Sequence, residues 1–374
     1  MSAPNTGSFR DANVRIDRNF RDLLSRLHVQ RGTGRMIGLL IVAFVLFTIL
    51  KPSVFLNPVN LQNIAVAAPE IGLLSLAMML AMLIGGIDLS VVSIANAAAI
   101  TVSSLYTAIE GSSGTAVAES MTPFILLAGL AVGALFGAFN GFFISVLGIT
   151  PILTTLGTMQ LFNGLALVWT KGVTISGAPS VLTAFGRSTL AGVPVLFLLF
   201  IVAAVAMAIM VERAPFGLKV QLQGANPVAA QFSGINSLRT TMTTYVITGV
   251  LAAIAGFVFL CRNPAASADY GSSYQLLAIV IAVLGGTNPN GGYATVVGVV
   301  LATLTLQVLS SGFTALRLSA YEYAIAQGVL LIGVMVFDQV SFRRRRRAGD
   351  DVGAPEPHSI TKDPAMEGTD GGLR

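Results

Sequence analysis

From Met36 to Val340 the chain is a succession of long apolar runs separated by short polar or glycine-rich breaks. A bilayer core about 30 Å thick takes about 20 apolar residues per helix, with about 17 to 25 tolerated. Ten segments meet or approach that length: 36–56, 59–84, 88–109, 122–147, 150–170, 192–211, 240–260, 272–286, 292–313 and 320–340. Helices that are hydrophobic all round are expected in lipid, whereas a soluble core needs a polar face on most of its elements. The pattern predicts an all-α, polytopic membrane protein with about ten transmembrane helices. The eighth segment is short and ends in Gly285-Gly286-Thr287-Asn288-Pro289-Asn290-Gly291-Gly292. Such a discontinuous helix is tolerated only where protein or a water-filled cavity covers the freed backbone groups.

Composition sharpens this picture. Hydrophobic residues make up 54% of the 374 and charged residues 10%, against about 25% charged in an average soluble domain. The stretch 36–340 carries only 16 formal charges and its flanks are rich in arginine. The chain thus divides into a basic tail over 1–35, a transmembrane domain over 36–340 and a second tail over 341–374. Past Arg347 that tail is polar and rich in Gly and Pro, and disorder is expected there. With ten helices and both termini cytoplasmic, fifteen basic residues fall inside and five outside: Lys51, Lys171, Arg187, Arg262 and Arg317. Cytoplasmic loops favour Lys and Arg, so this orientation is the expected one. Anionic lipid and topology account for the arginine flanks, which lack the interleaved aromatics of a nucleic-acid-binding domain. The first apolar run begins only after 35 residues and no small-residue cleavage site follows, so the first helix is expected to remain in the mature protein.

Candidate chemistry is sparse. No P-loop, H-E-x-x-H or G-x-S-x-G sequence occurs, so no catalytic residue is expected, and any ATP driving transport must be hydrolysed by another subunit. Cys261 is alone and both histidines, His28 and His358, lie in the tails. No disulfide, metal site or intramembrane proton relay through histidine is expected. Intramembrane carboxylates are costly and so are functional candidates. Glu70 follows Pro69 about halfway along its helix, where it either lines a polar path or is held locally beside the proline kink. Glu110 and Glu119 flank an outer loop and are expected to be solvated.

In Met82-Leu83-Ile84-Gly85-Gly86-Ile87-Asp88-Leu89-Ser90, the paired glycines stop one helix and Asp88 is placed to cap a restart at Leu89. Asp88 then serves either as a cap or in contact with substrate or a moving gate. A weak echo of this stretch recurs at Ala282–Thr303, again with paired glycines between two apolar helices. Asn96, Asn140, Gln160 and Asn163 stand among small and apolar residues, as does Gln275; amides of this kind either line a route for a hydroxyl-rich solute or join helices. Between the sixth and seventh helices, Asn226 suits an N-cap, Pro227 the first helical position and Gly234 the stop, which frames a short helix over about 226–234. Val228 and Phe232 share one face of it, a form suited to a groove on a cytoplasmic partner.

Three stretches together resemble the membrane permeases of ribose-type sugar importers, which are ATP-driven and binding-protein-dependent: Gly85-Gly86-Ile87-Asp88-Leu89-Ser90-Val91, Gly224–Asn236, and Leu284-Gly285-Gly286-Thr287 with Gly291-Gly292. The resemblance covers 36–340. It implies a homodimer or heterodimer of permeases in a bacterial inner membrane, two cytoplasmic ATPase subunits that bind ATP and Mg, and a periplasmic solute-binding protein. This chain itself would need no cofactor. It also implies that 226–234 is the coupling helix, with Asn226, Pro227, Val228, Ala229, Ala230, Phe232 and Gly234 facing the ATPase. Gly85, Gly86, Asp88, Ser90, Gly285, Gly286, Gly291 and Gly292 would mark helix breaks that gate the pathway. The chain departs from the family at Val228 and Gln231, where glutamate and arginine are usual. It departs again at Gln275-Leu276-Leu277, where two carboxylates are usual, and at Val92, where glycine is usual. The rival reading is an ion-coupled secondary transporter using Glu70 and Asp88 without an ATPase. A membrane glycosyltransferase lacks the acidic or histidine constellation it would need.

Overall fold

The computed structural model describes residues 33–319, 321–329 and 332–333. The predicted tails therefore lie outside the described residues except for 33–35, as does most of the tenth segment beyond 329. The named helices all belong to one compact unit that ends at Gln327, and in the remainder 328–329 and 332–333 are helical.

The helices follow the apolar runs. In chain order they are α1 (Thr33–Leu50), α2 (Pro52–Phe55), α3 (Pro58–Leu83), α4 (Val91–Ser113), α5 (Thr115–Ser120), α6 (Thr122–Ser145) and α7 (Pro151–Thr170). After them come α8 (Ser180–Arg187), α9 (Val195–Glu212), α10 (Pro215–Ala225), α11 (Pro227–Phe232), α12 (Ser237–Arg262), α13 (Tyr274–Leu284) and α14 (Val296–Ala315). Residues 321–329 are also helical. Eight of these helices are long and apolar enough to cross a membrane: α1, α3, α4, α6, α7, α9, α12 and α14. The eighth predicted segment shrinks to α13, whose 11 residues reach about 16 Å at about 1.5 Å per residue, half of a bilayer core.

Local chemistry sets the ends. Prolines occupy the first position of α3 and α7, where the missing N–H costs nothing. Asn57 and Asn236 cap α3 and α12, accepting from the backbone N–H of Val59 at 3.0 Å and of Arg239 at 2.9 Å. Two-residue strands pair outside the bundle: β1 (Ile175–Ser176) runs antiparallel to β4 (Ala265–Ala266), and β2 (Thr189–Leu190) to β3 (Val193–Pro194).

Burial divides the bundle into an inner and an outer set. α3, α4 and α12 are mostly enclosed, whereas α1, α6, α7 and α9 present aliphatic and aromatic side chains outward, among them Ile49, Leu135, Val168 and Val202. Continuous apolar exposure on that scale fits a lipid-facing surface. α12 packs most extensively on α6, through the stripe Gly129, Gly133, Gly137 and Gly141. A Cβ on Gly137 would lie 2.2 Å from the Tyr245 carbonyl oxygen, and one on Gly249 2.2 Å from that of Gly133. Backbones this close are the small-residue contact by which membrane helices associate without a hydrophobic driving force.

Candidate functional site

The two glycine breaks are built alike. At the end of α3 the Gly85 N–H donates to the Met82 carbonyl and the Gly86 N–H to the Ala81 carbonyl, both at 2.9 Å, with Gly85 at φ +91°. At the end of α13 the Gly286 N–H donates to Val283 at 2.9 Å and the Thr287 N–H to Ala282 at 3.0 Å, with Gly286 at φ +92°. Each is a Schellman stop, in which a left-handed residue returns two N–H groups to otherwise orphaned carbonyls. The echo in the sequence is thus matched by a repeated helix end.

The breaks also meet. The Gly292 N–H donates to the Leu83 carbonyl at 2.9 Å, and the Thr295 hydroxyl donates to the Gly285 carbonyl at 2.8 Å. A Cβ on Gly291 would approach the Gly85 Cα to 2.9 Å. Glycine at 85 and 291 therefore lets two interrupted helices touch through their backbones, while Gly285 admits the start of α14, Gly292 admits α10 and Gly86 leaves room for Tyr245 and Pro151.

Asp88 sits in this region with its side chain fully buried. The helix starts at Val91, two residues later than the spacing suggests, so Asp88 does not cap it from the expected position. It forms an Asx-type turn instead: Oδ1 accepts from the Ser90 N–H at 2.9 Å and the Ser90 hydroxyl at 2.6 Å. Its Oδ2 accepts from the Thr248 hydroxyl at 3.4 Å, and Asn140 donates to the Ser90 oxygen at 2.7 Å. α6, the first break and α12 are joined by this chain of side chains. The Tyr245 hydroxyl and Asn140 Oδ1 are buried beside it without a hydrogen-bond partner among the described residues.

The segment between α9 and α12 contains two helices where one is expected. α10 precedes α11, and a single extended residue, Asn226, separates them. Asn226 caps α11 by accepting from the Ala229 N–H at 3.0 Å, and Pro227 is its first residue. Gly234, at φ +81°, closes α11 with a third Schellman stop: its N–H donates to Gln231 at 3.0 Å and that of Ile235 to Ala230 at 3.1 Å. Ala230 is buried, while Val228 and Phe232 are exposed, Phe232 by 90%. An aromatic ring presented this fully costs apolar hydration, which contact with another surface would relieve.

At the other end of α12 lies a cluster around Glu70 whose partners sequence reasoning misses. Glu70, 1% exposed, forms an ion pair with Arg262, and accepts from the Tyr270 and Tyr274 hydroxyls at 3.1 Å each. Its partners come from the end of α12, the following loop and the start of α13. Asn96 holds the same loop from α4, donating to the carbonyls of Ala268 at 2.7 Å and Tyr270 at 2.9 Å. Beside the cluster, a cavity of about 130 Å³ is lined by Val66, Thr183, Gly186, Arg187, Cys261, Arg262 and Pro264. The one available signal was Arg262 closing a long apolar helix with two tyrosines shortly after it.

The remaining candidates scatter. Gln160 is exposed on α7, and Asn163 and Gln275 are half-buried. Glu119 is not simply solvated: it accepts from the Ser180 N–H at 2.8 Å and the Tyr106 hydroxyl at 2.9 Å, tethering α8 to α4. Burial pushes its pKa up, but these hydrogen bonds outweigh that and hold the carboxyl below its ordinary value. Among the described residues no group of His, Cys, Asp and Glu could hold a metal ion.

A family model described as the permease component of branched-chain amino acid transport systems matches residues 60–336. The chain is 31% identical to the ribose import permease of Bacillus subtilis over 84% of this chain and 95% of that protein. It is 33% identical to an autoinducer 2 import system permease of an Enterobacter species (82% and 87% covered) and 28% identical to the D-allose transport permease of Escherichia coli (81% and 90%). No solved structure matches the chain. Permeases of this kind are not enzymes, since a separate subunit hydrolyses the ATP, and they work with an ATPase and a solute-binding protein. Its apolar helices, its glycine breaks and these matches agree that the chain belongs to the family of multi-pass permease subunits of ribose-type, binding-protein-dependent ABC importers.

Proposed function

We propose that this chain, paired with a second permease, forms the pathway by which a sugar or sugar-like solute crosses the bacterial inner membrane, with both chain termini on the cytoplasmic side. In this reading α11 is the coupling helix. Its exposed Val228 and Phe232 enter a groove on the ATPase, which binds the ATP and Mg; the chain itself holds no cofactor. Nucleotide-driven closure of the ATPase pair moves α11 and, with it, the helix breaks at 83–90 and 284–295 that gate the pathway. A periplasmic binding protein delivers the solute to the opposite face.

The observation that carries the reading is the capped α11, with Phe232 90% exposed and joined through α10 to both helix breaks. Relatives named for ribose, allose and autoinducer 2 support the solute class. Gln160 supports the pairing, because an exposed amide midway along a transmembrane helix is expensive in lipid and is relieved by a water-filled path or a second copy. A ligand screen by calorimetry on the solute-binding protein that works with this permease tests the solute. A pentose, hexose or related polyol is expected to bind and to be taken up only by cells carrying this chain. Binding confined to branched-chain amino acids would overturn the sugar assignment.

A further inference from the structure

The final turn of α10 is wedged against both helix breaks, and glycine alone fits there. A Cβ on Gly224 would lie 2.0 Å from the Leu83 carbonyl oxygen and 2.6 Å from the Gly292 nitrogen, the two atoms whose hydrogen bond joins the breaks. From the opposite side, a Cβ on Gly291 would lie 2.7 Å from the Gly224 carbonyl oxygen, and one on Gly292 2.8 Å from the Ala225 Cα. Three chain segments thus touch backbone to backbone, with no side chain between them to absorb a displacement. Packed interiors of this density pass on a shift instead of damping it.

The other side of the junction is equally short. Only Asn226 separates Gly224-Ala225 from α11, and it is fixed twice: its N–H donates to Leu222 at 3.0 Å and its side chain accepts from Ala229 at 3.0 Å. Pro227 then sets the backbone angle of the first helical residue. Gln223, 7% exposed, ties the same turn to α12 by donating to the Thr241 hydroxyl at 2.9 Å. From the break outward, the Gly285 carbonyl accepts from Thr295 at the head of α14, and a Cβ on Gly298 would lie 1.9 Å from that carbonyl oxygen.

We infer that Gly224 is the positioning residue of energy coupling: through it, displacement of α11 reaches both interrupted helices at once. The inference rests on α11 being the ATPase-docking helix. Gly224 is buried within the chain, against Leu83 and Gly292. Its role is to make α10, the α3–α4 break and the α13–α14 break move as one body.

Two variants test this in proteoliposomes containing the full importer, with solute moved per ATP hydrolysed as the readout. Gly224→Ala places a methyl group at the junction. One glycine inserted between Ala225 and Asn226 leaves the junction intact but puts slack between it and α11, so it keeps the test decisive if the alanine variant fails to fold. For both, association with the ATPase is expected to match wild type, while solute moved per ATP falls at least about tenfold, within the range of coupling between distant sites. A merely structural glycine would lower the amount of folded complex without changing that ratio. The inference is overturned if the insertion variant transports per ATP as the wild type does. Wild-type chain that binds no ATPase through α11 would instead overturn the docking assignment, which the association measurement reads separately.

Discussion

Removing the Arg262 guanidinium should destabilise the protein more than removing the Glu70 carboxylate does. Glu70 is 1% exposed and Arg262 is 32% exposed, so the two partners do not share the consequences equally. Arg262→Met leaves a carboxylate buried with only the Tyr270 and Tyr274 hydroxyls, whereas Glu70→Gln leaves a guanidinium that already reaches solvent. Breaking a buried pair from one side costs about 3–5 kcal/mol. The two remaining phenolic hydrogen bonds reduce that for Arg262→Met to about 2–3 kcal/mol. Solvent screening of Arg262 brings Glu70→Gln down to about 1 kcal/mol. The double variant should cost less than the sum of the singles, with an interaction energy of about 1–2 kcal/mol. The assay is a double-mutant cycle from SDS unfolding titrations in mixed micelles. Cys261, the single cysteine of the chain and part of the lining of the adjacent cavity, offers a second readout, since maleimide should label it faster in Arg262→Met. Equal costs for the two single variants, or a coupling energy indistinguishable from zero, would refute the reasoning.

Other perturbations follow from the same geometry. Phe232→Asp should abolish capture of the ATPase in a pulldown while the permease elutes as a single folded species, because the ring is 90% exposed and supports nothing inside the chain; full capture would contradict this. Asp88→Asn keeps one acceptor for Ser90 but turns a donor toward Thr248. It should lower thermal stability and uptake rate by the equivalent of about 1–3 kcal/mol, with the order of preference among competing solutes unchanged in a competition uptake assay. Glu119 has a carboxyl held below its ordinary value of 4.5, so its tether is at full strength above that pH and weakens as acid protonates it. Hydrogen exchange at Ser180 should accelerate on acidification relative to other amides, and Glu119→Gln should remove much of that pH dependence.

Much of the fold is legible in the sequence because lipid imposes a length and a polarity on every crossing. The glycine stop of α3 and both ends of α11 are legible from Gly, Asn and Pro, whose backbone chemistry is local, whereas the Asn236 cap that starts α12 three residues before its apolar run is not. α11 in particular follows from five residues. What the sequence hides is long-range. Glu70 and Arg262 are separated by 192 positions, and nothing in either neighbourhood names the other. The meeting of Gly224 with Leu83 and Gly292 is equally invisible, since a glycine kept for close approach looks like any other glycine. Asp88 was half legible: its role at a helix restart can be read from Gly85-Gly86, but the displacement of the start to Val91 depends on Ser90 turning back to the carboxylate. The eighth segment, short already at 272–286, loses two residues more at each end in α13, because Ser272 and Ser273 stay in a turn and Gly285-Gly286 form the stop.

The energy source separates an ATP-driven permease from an ion-coupled carrier most directly. In proteoliposomes carrying this permease, its ATPase and its binding protein, solute uptake should require ATP on the ATPase side and be indifferent to a proton or sodium gradient. Uptake driven by such a gradient, through this chain alone and without ATP, would contradict it.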